Sequence, residues 1–143
     1  MIWKNNPSIE GLNALAPNTI NQALSIEFTE IGDDYLIARM LVDQNTRQPM
    51  GLLHGGASVV LAETLGSVAS TLLIDDLTKQ SAVGVEINAN HLKSAKSGYV
   101  YGRVEAIKTG RKIHVWQIRI RDEKERDICI SRLTTMIIDI SFT

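Results

Sequence analysis

Apolar and polar positions along the chain alternate, then merge into one long apolar run, then alternate again. Leu24, Ile26 and Phe28 alternate with Ser25, Glu27 and Thr29, the period of a half-buried strand. Gly32-Asp33-Asp34 predicts a hairpin turn that returns into Leu36, Ala38, Met40 and Val42. Upstream, Ser8 is placed to cap a short helix through Glu10, Leu12 and Leu15 that Pro17 ends, and Asn18 to Ala23 predict a further helical turn. After a loop with Pro49 and Gly51 comes the run Ala57 to Ile74, whose only charge is Glu63; it predicts a long helix ending near Asp75-Asp76. Alternation then resumes. Val83, Val85, Ile87 and Ala89 predict one strand, Tyr99 to Ile107, closed by Thr109-Gly110, a second, and Trp116, Ile118 and Ile120 a third. The charged turn Asp122 to Arg126 leads to a last strand, Ile128 to Ile140.

Two strands, one long apolar helix and a meander of long strands must cover one another, because one face of each strand and most of the helix are apolar. The pattern predicts an α+β domain with an antiparallel sheet curled around a central helix. A helix apolar nearly all round needs burial on more than one side, and a second subunit is the expected way to complete it.

The apolar run is near the lower length limit for a membrane span. Ser58, Thr64, Ser67, Ser70 and Thr71 dilute it, and Glu63 at mid-bilayer would cost several kcal/mol, about 3 on an insertion scale. No membrane role is expected. The 143 residues predict a single domain, 1–143, and 44% hydrophobic with 22% charged residues is the composition of a globular protein. A formal net charge of -1 argues against an electrostatic nucleic-acid binder. The single cysteine, Cys129, sits between Ile128 and Ile130 and is expected to be a structural thiol. The N-terminus shows no signal-peptide pattern, so the expected location is the cytoplasm.

The chemistry concentrates in Gln48 to Glu63. Gly55-Gly56 lets a ligand approach the main chain, and the helix that follows offers unpaired N–H groups and the positive end of its dipole there. About two turns along comes the lone carboxylate of Glu63. A polarised carbonyl beside a carboxylate suggests acyl chemistry. Ser67, at i+4 from Glu63, shares its helix face. The histidines 54, 91 and 114 lack ligand spacing, so no metal and no cofactor is expected.

Gln48 to Glu63, with the later Glu86-Ile87-Asn88-Ala89-Asn90-His91, resembles the hotdog-fold acyl-CoA thioesterases. More narrowly, the chain is similar to their aryl-CoA branch, which includes the 1,4-dihydroxy-2-naphthoyl-CoA thioesterases of menaquinone synthesis. The resemblance runs nearly end to end, from Met1-Ile2-Trp3-Lys4 to Ser131-Arg132-Leu133-Thr134-Thr135. It implies a hotdog fold, Glu63 as nucleophile or general base, the Gly55 N–H as the group that polarises the thioester carbonyl, and Gln48 and His54 as residues that position that carbonyl. Ser67 would hold the attacking water or the leaving group. For coenzyme A it implies Gly84, then His91, Leu92, Lys93 and Ser94, and then Lys108, Thr109, Gly110, Arg111 and Lys112. Lys93 stands where relatives often carry arginine, and Glu125 where they carry a turn glycine. The implied partner is an acyl-CoA substrate, and the implied assembly a homodimer with shared active sites, paired into a tetramer. A hydratase or dehydratase of the same fold, or a non-catalytic acyl-CoA binder, are the alternatives. Against the first, the glycine pair follows His54 directly, unlike the dehydratase loop.

Overall fold

A computed structural model of the protein describes residues 1–140. The elements run α1 (Ile9–Asn13), α2 (Ile20–Ala23), β1 (Ile26–Ile31), β2 (Tyr35–Leu41), α3 (Gly55–Thr71), β3 (Gln80–His91), β4 (Tyr99–Thr109), β5 (Ile113–Arg121) and β6 (Asp127–Asp139). The strands form one six-stranded sheet in the order β1-β2-β4-β5-β6-β3, with antiparallel pairing throughout. Helix α3 packs on one face of it against β2 to β6. This is the expected α+β arrangement of a sheet around a central helix.

The core is the seam between helix and sheet. Leu61, Leu65 and Ala69 meet Leu36, Ala38, Met40, Val100, Val104, Trp116, Ile118, Ile120 and Leu133, all fully buried. The approach is close: a Cβ on Gly66 would lie 2.4 Å from Leu133 Cδ2, and one on Gly102 2.5 Å from Leu65 Cδ1. A glycine inside a helix costs about 1 kcal/mol. Each fully buried leucine contributes about 1.5–3 kcal/mol, so tighter seating of Leu65 and Leu133 outweighs that cost. Cys129 is buried within the same core, and burial pushes its thiol up, as suits a structural thiol.

Several boundaries differ from the sequence reading. Helix α1 stops at Asn13, leaving Leu15 exposed, and Leu24 is the C-cap of α2 instead of a strand residue, because Ser25 turns the chain at φ 53°. Helix α3 ends at Thr71, not near Asp75-Asp76. The N-terminal segment takes the carbonyls that a longer helix would need. Lys4 N–H donates to the Leu72 carbonyl and Asn5 Nδ2 to that of Ile74. Trp3 anchors this strap, stacking on Trp116 at 6.3 Å and donating to the Gly32 carbonyl.

The most consequential difference is in β3. Gly84 pairs with Thr135 and Glu86 with Thr134, so Val85 is the extra residue of a β-bulge. The simple alternation Val83-Val85-Ile87-Ala89 therefore breaks. Gly84 shares the inner face with Ile87 and Ala89, because its partner Thr135 is buried, whereas Val83 pairs with the half-exposed Met136 on the outer face.

The β5–β6 turn carries a local strain. Asp122 accepts from the N–H groups of Lys124 and Arg126 and from the Arg126 guanidinium, contacts that hold its carboxyl below the usual range. Within that turn Glu125 has φ 60°, a left-handed conformation costly for a residue with a Cβ. Glu125→Gly is expected to stabilise the fold by about 0.5–1 kcal/mol, once the extra freedom of glycine in the unfolded chain is counted. Thermal or urea unfolding of the two proteins measures it.

Candidate active site

Helix α3 begins at the glycine pair. His54 is its N-cap, and His54 Nδ1 accepts the Gly56 N–H at 2.7 Å. Because Nδ1 is an acceptor, the ring proton sits on Nε2. The N–H of Gly55, first in the helix, has no hydrogen-bond partner among the described residues. Gln48 is held one turn before it: its backbone N–H donates to the Leu52 carbonyl and its side-chain oxygen accepts from the Met50 N–H. That leaves the Gln48 amide with two free donors. His91, at the end of β3, lies over the same spot, with Nε2 2.8 Å from where a Cβ of Gly55 would be. A side chain at residue 55 would displace the imidazole.

These residues line one cavity of about 420 Å³, bordered by Gln48, Gly55, His91, Leu92, Lys93 and Ser94. Thus part of the catalytic set and part of the coenzyme set, named from sequence, meet in a single recess. Ser58, Leu52, Leu53 and Ile128 complete its wall and were not singled out from sequence. Ser58 carried a usable signal, since it lies at i+3 from Gly55 and so on the same helix face. His54 does not border the recess; its contact is the cap.

Glu63 lies elsewhere. A Cβ on Gly84 would be 2.8 Å from Glu63 Oε1, so the carboxylate packs against bare β3 backbone at the bulge. Glu63 Oε2 is shielded from solvent and has no hydrogen-bond partner among the described residues. Leaving a buried carboxylate oxygen unpaired costs about 1–3 kcal/mol or more, which makes such an atom a marker of function rather than of stability. Ser67 follows one turn later, where its carbonyl accepts the Thr71 hydroxyl at 2.9 Å.

Distances decide what these groups can do together. Gly55 and Glu63 are eight residues apart on one helix, about 12 Å along its axis. A carbonyl bound to the Gly55 N–H and attacked by a carboxylate must lie within about 3.5 Å of both. One chain cannot supply both groups to one carbonyl. The coenzyme set divides as well. Through the ladders Gly84–Thr135–His114–Thr109 and His91–Cys129–Ile120, the turn at Lys108 to Lys112 lies at the opposite end of the strands from His91 to Ser94. Seven residue steps separate the two rows on β3, about 23 Å. A second groove, of about 800 Å³, runs over the outer face of the sheet between Tyr101, Arg103, Arg119 and Arg121. It borders none of the catalytic candidates, and its arginines pair with Glu105 and Asp127.

Comparison with known proteins shows the family. The profile of the Thioesterase superfamily matches residues 50–129, which contain Gly55, Glu63, Gly84 and His91. The chain is 52% identical over 138 residues to the 1,4-dihydroxy-2-naphthoyl-CoA hydrolase of Escherichia coli, covering 96% of this chain and 100% of that protein. It is 47% identical over 137 residues to the proofreading thioesterase EntH of Cronobacter turicensis, covering 96% and 98%. A mutant thioesterase from Pseudomonas aeruginosa superposes with a TM-score of 0.95 at 46% identity, covering 98% of this chain and 100% of that one. With a sheet wrapped around a central helix, a glycine pair at the start of that helix and a carboxylate within it, the chain belongs to the Thioesterase superfamily and is a hotdog-fold thioester hydrolase.

Proposed function

We propose that this protein is a single-domain, cytoplasmic acyl-CoA thioesterase that hydrolyses an aryl-CoA, 1,4-dihydroxy-2-naphthoyl-CoA or a close analogue, to the free acid and coenzyme A. Its place would be menaquinone biosynthesis. The carrying observation is Glu63 Oε2, buried without a partner among the described residues, on a helix whose Gly55 N–H, likewise unpaired among them, is about 12 Å away. Each group is half of a site. Two copies related by a two-fold axis bring the Gly55 end of one helix to the Glu63 of the other, an isologous arrangement that builds two sites at once. Two further features favour that contact. Strand β3 is a long unpaired edge carrying exposed Val83 and Val85, and Met50 and Leu92 are exposed beside the recess. Two such dimers would form the tetramer.

In this reading the thioester carbonyl docks on the Gly55 N–H, with the Gln48 amide as second donor. Charge growing on oxygen then meets preset dipoles at the positive end of α3. Glu63 of the other copy attacks the carbon to give an anhydride, or deprotonates a water that attacks, with Ser67 holding that water or the leaving group. The C–S bond breaks and coenzyme A departs as thiolate. His54 acts through its cap, fixing the backbone at Gly55 and Gly56. Lys93 with Ser94, and the turn at Lys108, Arg111 and Lys112, would hold the nucleotide phosphates. The aryl preference rests on the name of the Escherichia coli relative; the name of the Cronobacter turicensis relative gives a thioesterase and no acyl group.

Thiol release from 1,4-dihydroxy-2-naphthoyl-CoA, benzoyl-CoA and decanoyl-CoA is the first measurement. Glu63→Ala is expected to lower kcat by at least about 100-fold with an unchanged circular dichroism spectrum and no loss of Tm, since the lost carboxylate makes no internal hydrogen bond. Retention of activity would remove Glu63 from the reaction. In wild type, label from ¹⁸O-water found on Glu63 after a single turnover marks the anhydride route.

Mixing tests the shared site. Gln48→Ala and Glu63→Ala, each nearly inactive alone, are refolded together. Half of the dimers are then mixed, each with one intact site, so activity returns to about a quarter of wild type. No recovery would place both residues in one chain's own site.

A further inference from the structure

About two turns beyond Glu63 on α3 lies a buried polar cluster that the chemistry above does not use. Ser70 on α3, His114 on β5 and Thr135 on β6 are all buried, with Trp116 beside them. Ser70 Oγ lies 2.9 Å from His114 Nδ1 and 2.6 Å from the Thr135 hydroxyl, and it accepts the Trp116 indole N–H at 2.7 Å. The indole can only donate, so one lone pair of Ser70 is committed to it. The other lone pair and the hydroxyl proton serve Thr135 and His114 in either order, and both orders use the whole hydrogen-bonding capacity of Ser70.

Pairing within the sheet links this cluster to the carboxylate. Thr135 pairs with His114 on one side and with Gly84 on the other, so the three form a row across β5, β6 and β3. Helix α3 meets that row twice. Ser70 bonds to its first two members, and Glu63 Oε1 sits 2.8 Å from where a Cβ of the third would be. Ser70 follows Glu63 by seven residues, a spacing that returns to nearly the same helix face about 10 Å along the axis. Leu133 and Ile137, two positions either side of Thr135 on β6, are apolar and buried. A hydroxyl between them costs stability unless it is hydrogen-bonded, whereas valine would fill the same space without that demand. The partner that Thr135 finds is Ser70.

Apolar contact between α3 and the sheet is non-directional and tolerates small slides of the helix. The bonds at Ser70 do not, because they weaken steeply with distance and angle. Glu63 Oε2 has no hydrogen-bond partner among the described residues, so no bond of its own fixes that end of the carboxylate. Its place is set by where α3 carries it over Gly84. We propose that Ser70 and Thr135 are positioning residues for Glu63: their hydrogen bond seats α3 over the Thr135–Gly84 pair and so holds the carboxylate at reacting geometry. The proposal rests on the reading of Glu63 as the reacting carboxylate. Misplacing a reacting group by about 1 Å can cost about 100-fold in rate, so a bond that limits helix slide acts on kcat. Docking at the Gly55 end of α3 does not involve this bond, and KM is spared.

The test is Thr135→Val, which keeps the shape and removes the hydroxyl, beside Thr135→Ser, which keeps the hydroxyl and removes a methyl. With benzoyl-CoA, Thr135→Val is expected to lower kcat about tenfold with KM within about twofold, and Thr135→Ser to stay within about twofold in both. Thr135→Val is then repeated in a Glu63→Ala background under single-turnover conditions. There it is expected to change the residual rate by less than about twofold, because no carboxylate remains to be placed. A kcat of Thr135→Val within about twofold of wild type overturns the proposal. So does an equal fall in Thr135→Ser, which would mark packing, and so does an undiminished fall in the Glu63→Ala background, which would mark an action apart from the carboxylate. Wild-type kcat in Glu63→Ala alone would instead show that the underlying reading has failed. Should Thr135→Val not fold by circular dichroism, Ser70→Ala takes its place, with the same expected fall, the same background test and the same overturning results.

Discussion

Helix α3 sits so close to the sheet that Gly66 and Gly102 leave no room for a Cβ against Leu133 and Leu65, and everything functional depends on that seam. The seam fixes the rotation of the helix. With Leu61, Leu65 and Ala69 buried against the strands, Glu63 is turned toward β3, and the first turn toward the end of that strand at His91. Rotating the helix to relieve the carboxylate would lift the leucines from the core. The apolar contacts, worth several kcal/mol together, outweigh the cost of the unpaired carboxylate oxygen.

Glycine supplies contact by absence at three places around this helix. At residue 66 it admits Leu133, at residue 84 it admits the Glu63 carboxylate, and at residue 55 it admits the His91 imidazole. The first serves packing. The other two bring chemistry-bearing side chains against bare backbone. The bulge at Val85 belongs to the same device, because without the extra residue Gly84 would not share the inner face with Ile87 and Ala89.

Ends of elements are set by what the rest of the chain needs. The N-terminal strap closes α3 by taking the carbonyls at Leu72 and Ile74, and its Trp3 stacks on Trp116, which in turn donates to Ser70. The N-terminal strap, the end of α3 and the buried polar cluster are therefore one continuous structure. The β4–β5 turn adjoins it, because Thr109 pairs with His114 in the ladder.

Sequence by itself determined the class of fold, because periods of two and long apolar runs are local properties that survive without knowing the partners. It also determined the start of helix α3, where Gly55-Gly56 and the His54 cap are adjacent residues, and the shared face of Glu63 and Ser67, which follows from helical periodicity. Three matters were decided only by tertiary structure. The bulge in β3 is invisible to alternation, since Val83 and Val85 read as one face until pairing with β6 puts Val85 outside the register. The separation of the residues expected to hold coenzyme A into two groups, about 23 Å apart, depends on strand order, which no local pattern encodes. The hydrogen-bond chain through Ser70, His114, Trp116 and Thr135 joins residues up to 65 positions apart that each, alone, read as an ordinary polar residue near an apolar stretch. Local chemistry is written in neighbouring residues, whereas placement depends on which distant surfaces the burial of α3 brings together.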